Sequence, residues 1–255
     1  MYSFSVDSPD APAHLERCVS LIEHLELPAT HEWIRQPPAV SSEIAAIDTG
    51  FPDAPVSLED TLRAAVIAAL ESASHMRIAI QSELFAPAPF RAELRTILMA
   101  AGRLGYVALP TQADDRREHA EHILGMEARS LERALTDIEE IEHLAGLRWS
   151  SDDVDEFHRR IDAVSTKGLP GDRSLIRTAA ELIGREAVAA DASIEPTVLR
   201  DHLAWIWNTA SGSAHGFAWQ SLANGDFVTD LGDVLSAFHI AFDATKRIWT
   251  ATPKD

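Results

Sequence analysis

The stretch ADDRREHAEHILGMEARSLERALTDIEEIEHLA, residues 113–145, decides the fold class. Its apolar positions Leu124, Ala128, Leu131, Leu135 and Ile138 alternate steps of four and three. That is the stripe of an amphipathic helix, whereas a strand would alternate every second residue. At 1.5 Å per residue the helix would reach roughly 48 Å, with its stripe set for an antiparallel helical pair or a coiled coil. Gly125 lies inside it, where glycine costs near 1 kcal/mol relative to alanine, so a kink or a tight contact is expected there. Gly146 is a natural stop.

The same periodicity continues outward in both directions. Upstream, Ser57 with Asp60 gives a capping signal, and Leu62, Val66, Ala69, Ala73, Met76 and Ile80 predict a helix over 57–84. The prolines of Phe85-Ala-Pro-Ala-Pro-Phe90 stop it and open the next, which runs to about Leu109 on Phe90, Leu94, Ile97, Leu98, Ala101, Leu104 and Val107. Gly102 and Gly105 would let another helix approach closely. Downstream, the pattern predicts a short acidic helix at about 151–164, a connector at 167–171 and a helix at about 174–189. A helix opened by Pro196 and a last one over about 226–249, striped by Leu231, Leu235, Phe238, Phe242, Thr245 and Trp249, complete the series. At the other end a short helix fits residues 11–26. The span from Pro28 to Pro55, with Pro37, Pro38 and Pro52, reads as an irregular crossing segment anchored by Trp33 and Ile34. The expectation is an all-α, irregular multi-helix bundle with one long helix at about 113–145 and no sheet. It would be organised as an N-terminal helix and Pro-rich crossing segment (1–56) and a helical bundle domain (57–255).

Forty acidic residues against 22 basic ones give a formal charge of -18 over 255 residues, which argues against a broad DNA- or phosphate-binding surface. Cys18 is alone, so no internal disulfide forms and a reducing, cytoplasmic setting is expected. Acidic Asp7, Asp10 and Glu16 near the start do not suit a signal peptide, and no apolar run is long enough to span a membrane. Glycine-rich phosphate loops and dinucleotide fingerprints are absent, so no nucleotide cofactor, and none of any other kind, is expected.

The most unusual run is Trp205-Ile-Trp207-Asn-Thr-Ala-Ser211-Gly-Ser-Ala-His215-Gly216. On a helix Trp207, Ser211 and His215 share one face, so Ser211 and His215 are the candidate catalytic pair, a hydroxyl beside an acid–base imidazole. The plainer reading is a helix C-terminus that stabilises His215 beside small, close-packing residues. It is favoured, because no third group orients the imidazole. Arg91, Arg95 and Trp207 are the candidate binding residues. The arginines stand on a helix otherwise rich in core residues, where they would line an anion pocket or, the default with 40 carboxylates available, pair with acidic neighbours. Trp205 and Trp207 point to different sides of their helix, one toward the core and one outward.

The Trp207-x-x-x-Ser211-x-x-x-His215-Gly216 run resembles the Trp/Tyr-x-x-x-Ser-x-x-x-His-Gly/Pro signature near the C-terminus of several uncharacterised, mainly actinobacterial, all-helical families. Phe90-Arg91-Ala-Glu-Leu-Arg95 through Leu104-Gly-Tyr-Val-Ala-Leu109-Pro110, followed by Arg116 and Arg117, is similar to their central region. The resemblance implies an all-helical fold with a helical pocket near Ser211, His215 and Arg91, and it brings no activity with it. Some of these families look like members of the wider HEPN group, whose RNA-cleaving toxins carry Arg, then four to six residues, then His. Arg116 and Arg117 with His122, and Arg17 with His24, fit that spacing, about as often as the arginine and histidine content supplies by chance. The Ser211–His215 run has no such arginine.

Metal binding has weak support. His119 and His122 lie three apart, as do Glu140 and His143, but a di-metal bundle needs Glu-x-x-His on two facing helices, so a solvated acidic face is the expectation and no metal site is assigned. The acidic run 152–156 lacks the frame of a calcium loop and suits a helix N-terminus. The functional expectation is a non-enzymatic helical interaction or regulatory module. The competing expectations are a HEPN-like RNA-acting enzyme of a toxin or defence system, and a small-ligand-binding helical protein. The two long apolar stripes, 124–138 and 231–249, lead to the expectation of a homodimer, with a further protein partner open.

Overall fold

Among the residues that the computed structural model describes, 11–84, 87–190, 195–216 and 226–250, there are ten α-helices and no strand. They are α1 (Ala11–Glu26), α2 (Pro28–Arg35), α3 (Glu43–Thr49), α4 (Leu58–Gln81), α5 (Pro87–Ala108), α6 (Ala113–Glu140), α7 (Ser151–Asp162), α8 (Asp172–Ala190), α9 (Pro196–Ala214) and α10 (Phe227–Thr250). A 3-10 turn, Glu142–Leu147, follows α6. The all-α class is thus correct.

Two expectations need correction. The segment 28–55 is not irregular throughout, because it carries α2 and α3. Pro28 stands in the first turn of α2, where its missing N–H costs nothing, and Ser42 caps α3 by accepting from Ala45 N. The second correction is the end of the long helix, which stops at Glu140 and not near 145. Ile141 turns extended, and Arg148 reaches back to donate Nε to the Ile138 carbonyl and Nη2 to the Glu139 carbonyl. A side chain thereby satisfies two of the last-turn acceptors that would otherwise invite another turn.

The body is built around α5. It packs against α4, α8, α9 and α10, and it buries Phe90, Leu94, Ile97, Leu98, Ala101, Leu104 and Val107. Gly102 and Gly105 explain how α8 comes so close: a Cβ on Gly102 would lie 2.6 Å from Ile176 Cδ1, and one on Gly105 3.3 Å from Ile183 Cδ1. The stripe of α10 is wholly internal, with Leu231, Leu235, Phe238, Phe242 and Trp249 buried. Trp33 of α2 meets Phe242 and Trp249 edge-on, at centroid distances of 5.0 and 5.3 Å, and Ile34 beside it is buried. Residues Ile22, Leu25, Ile34 and Ile44 of the first three helices belong to the same continuous core as α5 and α10.

The stripe of α6 is covered in part from within the chain, with Leu131 and Ile138 half-buried. Leu124, Ala128 and Leu135 are buried, and at Gly125 the chain after α7 crosses so tightly that a Cβ would sit 2.3 Å from the Ser165 carbonyl oxygen. The 3-10 turn and α7 also pack against α6, and Leu135 and Ile161 belong to the same continuous core as α5 and α10. Among the described residues no helix is long and apolar enough to cross a membrane.

Candidate functional site

Arg95, Trp207 and Ser211 meet where α5 packs against α9, and Arg91, one turn earlier on α5, reaches Thr209 of α9. Arg91 and Arg95 are one turn apart on α5 and so leave it in the same direction. The Arg95 guanidinium carbon stands 4.7 Å over the Trp207 ring, and Nε donates to Ser211 Oγ at 3.2 Å. Trp207 is 5% exposed and Trp205 44%, which is the inward and outward split expected of two residues a half-turn apart.

His215 is not part of this contact. It is the residue at which α9 ends, it is exposed, and its backbone N–H donates to the Ser211 carbonyl at 3.1 Å. Gly216 then takes a φ of +70°, a left-handed turn that glycine adopts without strain. Ser211 therefore has a guanidinium on its oxygen. An arginine cannot remove the hydroxyl proton, so this contact holds Ser211 in place and supplies no base.

Arg91 is committed more deeply. Only 7% exposed, it donates Nη1 to Asp230 Oδ2 at 3.0 Å and to Thr209 Oγ1 at 3.5 Å, while Asp230 on α10 is 3% exposed. Asp230 has a second partner: His202 Nε2 on α9 approaches its Oδ1 at 3.2 Å, and His202 Nδ1 bonds Asp233 Oδ2 at 2.6 Å. With both ring nitrogens facing carboxylates, the doubly protonated imidazolium is the form that fits. Hydrogen bonds to Asp230 and then Asp233 push the His202 pKa up from 6.5 to about 10, against the opposing effect of burial. The result is a line of alternating charge, Arg91, Asp230, His202, Asp233, that ties α5, α9 and α10 together.

The sequence pointed to the arginines and missed Asp230, His202, Asp233 and Thr209. The one available signal was an aspartate directly before Leu231 at the start of a nearly unbroken apolar stripe, a position where a carboxylate needs a cation.

A second polar cluster joins α5 to α6. The His119 ring stacks on Tyr106 at 3.7 Å and its Nδ1 donates to the Tyr106 carbonyl at 2.6 Å, while the Tyr106 hydroxyl and His122 Nδ1 are 3.0 Å apart. Of the residues read as a solvated face, His119 and His122 are half-buried packing residues, whereas Glu118, Glu140 and His143 are exposed. Burial, and secondarily Glu118, raises the Tyr106 pKa, so the phenol stays protonated. Arg116 is drawn away from His122 to Glu43 and the Pro110 carbonyl, and the Arg117 guanidinium lies 5.6 Å over Phe51. The two arginines that precede His122 at that spacing are thus engaged with other partners. Among the described residues no group of three or more His, Cys, Asp or Glu is placed to hold a metal ion.

Compared with known protein families, with characterised proteins and with solved structures, the chain matches none.

Proposed function

We propose that this chain is a non-enzymatic helical interaction module that acts in the cytoplasm as a homodimer. One observation supports the non-enzymatic part of the reading: apart from the exposed His215, the polar side chains of the expected pocket are paired with one another. Arg91 neutralises Asp230, Arg95 covers Trp207 and holds Ser211, and the charges run on into His202 and Asp233. Groups matched this closely stabilise a helix joint, whereas a catalytic centre keeps a base, a nucleophile or an anion-binding donor directed at open space. Cys18 suits the same picture, since burial pushes its thiol up to about 11 and leaves it unreactive.

The test is an RNA cleavage assay on the purified full-length chain, with His215→Ala and Ser211→Ala alongside. The expected result is no cleavage above buffer for any of the three. Cleavage by the wild-type chain that disappears in His215→Ala would overturn the reading in favour of an RNA-acting enzyme.

A further inference from the structure

Six carboxylates gathered in one part of the chain have no cation beside them. Asp137, Glu139, Glu140, Glu142, Asp152 and Asp155, on the last turn of α6, the 3-10 turn and the first two turns of α7, are exposed and make no ion pair among the described residues. Many acidic side chains elsewhere are taken up: Arg116 pairs with Glu43, Arg103 with Glu127, and, next to the unpaired set, Arg159 and Arg160 both hold Glu156. Between residues 137 and 155 the chain has seven carboxylates and a single arginine, Arg148, which is spent on the carbonyls of Ile138 and Glu139.

Acidic side chains alone would be a solvated face, but these flank a hollow of about 320 Å³ between α6 and α7. Its floor is apolar, made by Leu135, Ile138 and Val154, and Trp149 stands at its rim, 40% exposed. The Trp149 ring rests edge-on against Phe157, with centroids 5.5 Å apart, so it has a fixed place without being covered. Glu139 lines the hollow from α6 and Asp155 from α7. The volume is near the lower end of ligand sites, roughly 300–1,000 Å³, which suits one or two side chains.

An uncovered tryptophan beside an apolar floor favours an aliphatic or aromatic group, and its ring face also attracts a guanidinium or an ammonium. Carboxylates on both walls then select the charge that accompanies it. Nucleic acid and anionic lipid headgroups are repelled, and so is a second copy, which brings the same carboxylates on a chain of formal charge -18. We propose that this hollow docks a basic segment of a partner protein, with one apolar side chain entering beside Trp149 while flanking arginines or lysines meet Glu139 and Asp155. The proposal rests on the interaction-module reading above and names the surface and the chemistry of the partner.

The probe is the fluorescein-labelled peptide Lys-Arg-Leu-Leu-Arg-Lys, titrated with the full-length chain and read by fluorescence anisotropy at low salt. Binding is expected, weakening as sodium chloride is raised. Trp149→Ala, and separately the pair Glu139→Lys with Asp155→Lys, should each weaken it at least tenfold. The circular dichroism spectrum and melting temperature should be kept, because these side chains are exposed. The pair Glu16→Lys with Glu32→Lys makes the same charge change on α1 and α2 and should alter affinity less than twofold, and a peptide with glycines for the leucines should bind at least tenfold more weakly. No binding by the wild-type chain, equal losses from the two lysine pairs, or indifference to Trp149→Ala overturns the docking surface. A wild-type dimer that Trp149→Ala dissolves would put a second copy there and overturn the basic partner. If the peptide fails and the RNA assay shows no cleavage, the interaction-module reading stands without this surface, whereas cleavage lost in His215→Ala overturns that reading whatever the peptide does.

Discussion

Arg91 shows what a charge inside a helical core requires. Removing its guanidinium leaves Asp230 buried beside apolar neighbours with only His202 to balance it, so Arg91→Ala should cost about 3–5 kcal/mol in urea unfolding. A change of 1 kcal/mol or less would mean that water reaches Asp230. His202 gives a pH-dependent counterpart. Its folded pKa, about 10, lies above its unfolded value of 6.5, so the native state binds the extra proton. Its contribution is fully present below pH 6.5, declines above that, and is lost as pH rises through about 10. The imidazole is partly in contact with solvent, which screens the pairing, so His202→Ala should cost about 1–2 kcal/mol at neutral pH. The gap between wild type and variant should close in melts above pH 10. A gap of constant size across that range would refute the imidazolium assignment. Sequence reasoning reached Arg91, Arg95, Trp207 and Ser211 because arginines on an apolar helix and a Trp-x-x-x-Ser spacing stand out. It did not reach the acidic partners, since any of 40 carboxylates would serve on sequence grounds and only the packing of α10 on α5 selects Asp230.

Between helices, glycine fixes how near two axes lie. In mid-helix, alanine in place of glycine ordinarily stabilises by about 1 kcal/mol. At Gly125 the new methyl would meet the Ser165 carbonyl and Leu169 at 2.3 and 2.8 Å, and a backbone oxygen cannot swing aside. Gly125→Ala should therefore lower stability by about 1–3 kcal/mol in thermal unfolding, with Gly146→Ala, which meets nothing within 4 Å, as the near-neutral control. Equal behaviour of the two would show that α6 and the 165–169 segment move apart easily. The periodic stripes made most helices legible, because a 3.6-residue repeat is local information. The ends were harder to read. The stop of α6 depends on Arg148 folding back onto carbonyls ten and nine residues upstream, and α2 and α3 carry too few apolar repeats to rise above the surrounding prolines.

Across the whole molecule the formal charge of -18 opposes compactness. Surface repulsion is screened over about 10 Å at 0.1 M salt, whereas the buried Arg91–Asp230 pair is screened much less. Raising sodium chloride should therefore raise the melting temperature, and a fall would mean that exposed ion pairs such as Arg159 with Glu156 contribute more than the net repulsion. The central position of α5 has a further consequence, for synthesis. Its residues leave the ribosome well before α8, α9 and α10, which cover most of its apolar surface, have been made. At translation rates of about 5–20 residues per second, roughly 7–28 s pass between the completion of α5 and that of α10. Throughout that interval a nascent chain displays Leu94, Ile97, Leu98 and Leu104 without their final cover, and is a natural client for a holding chaperone.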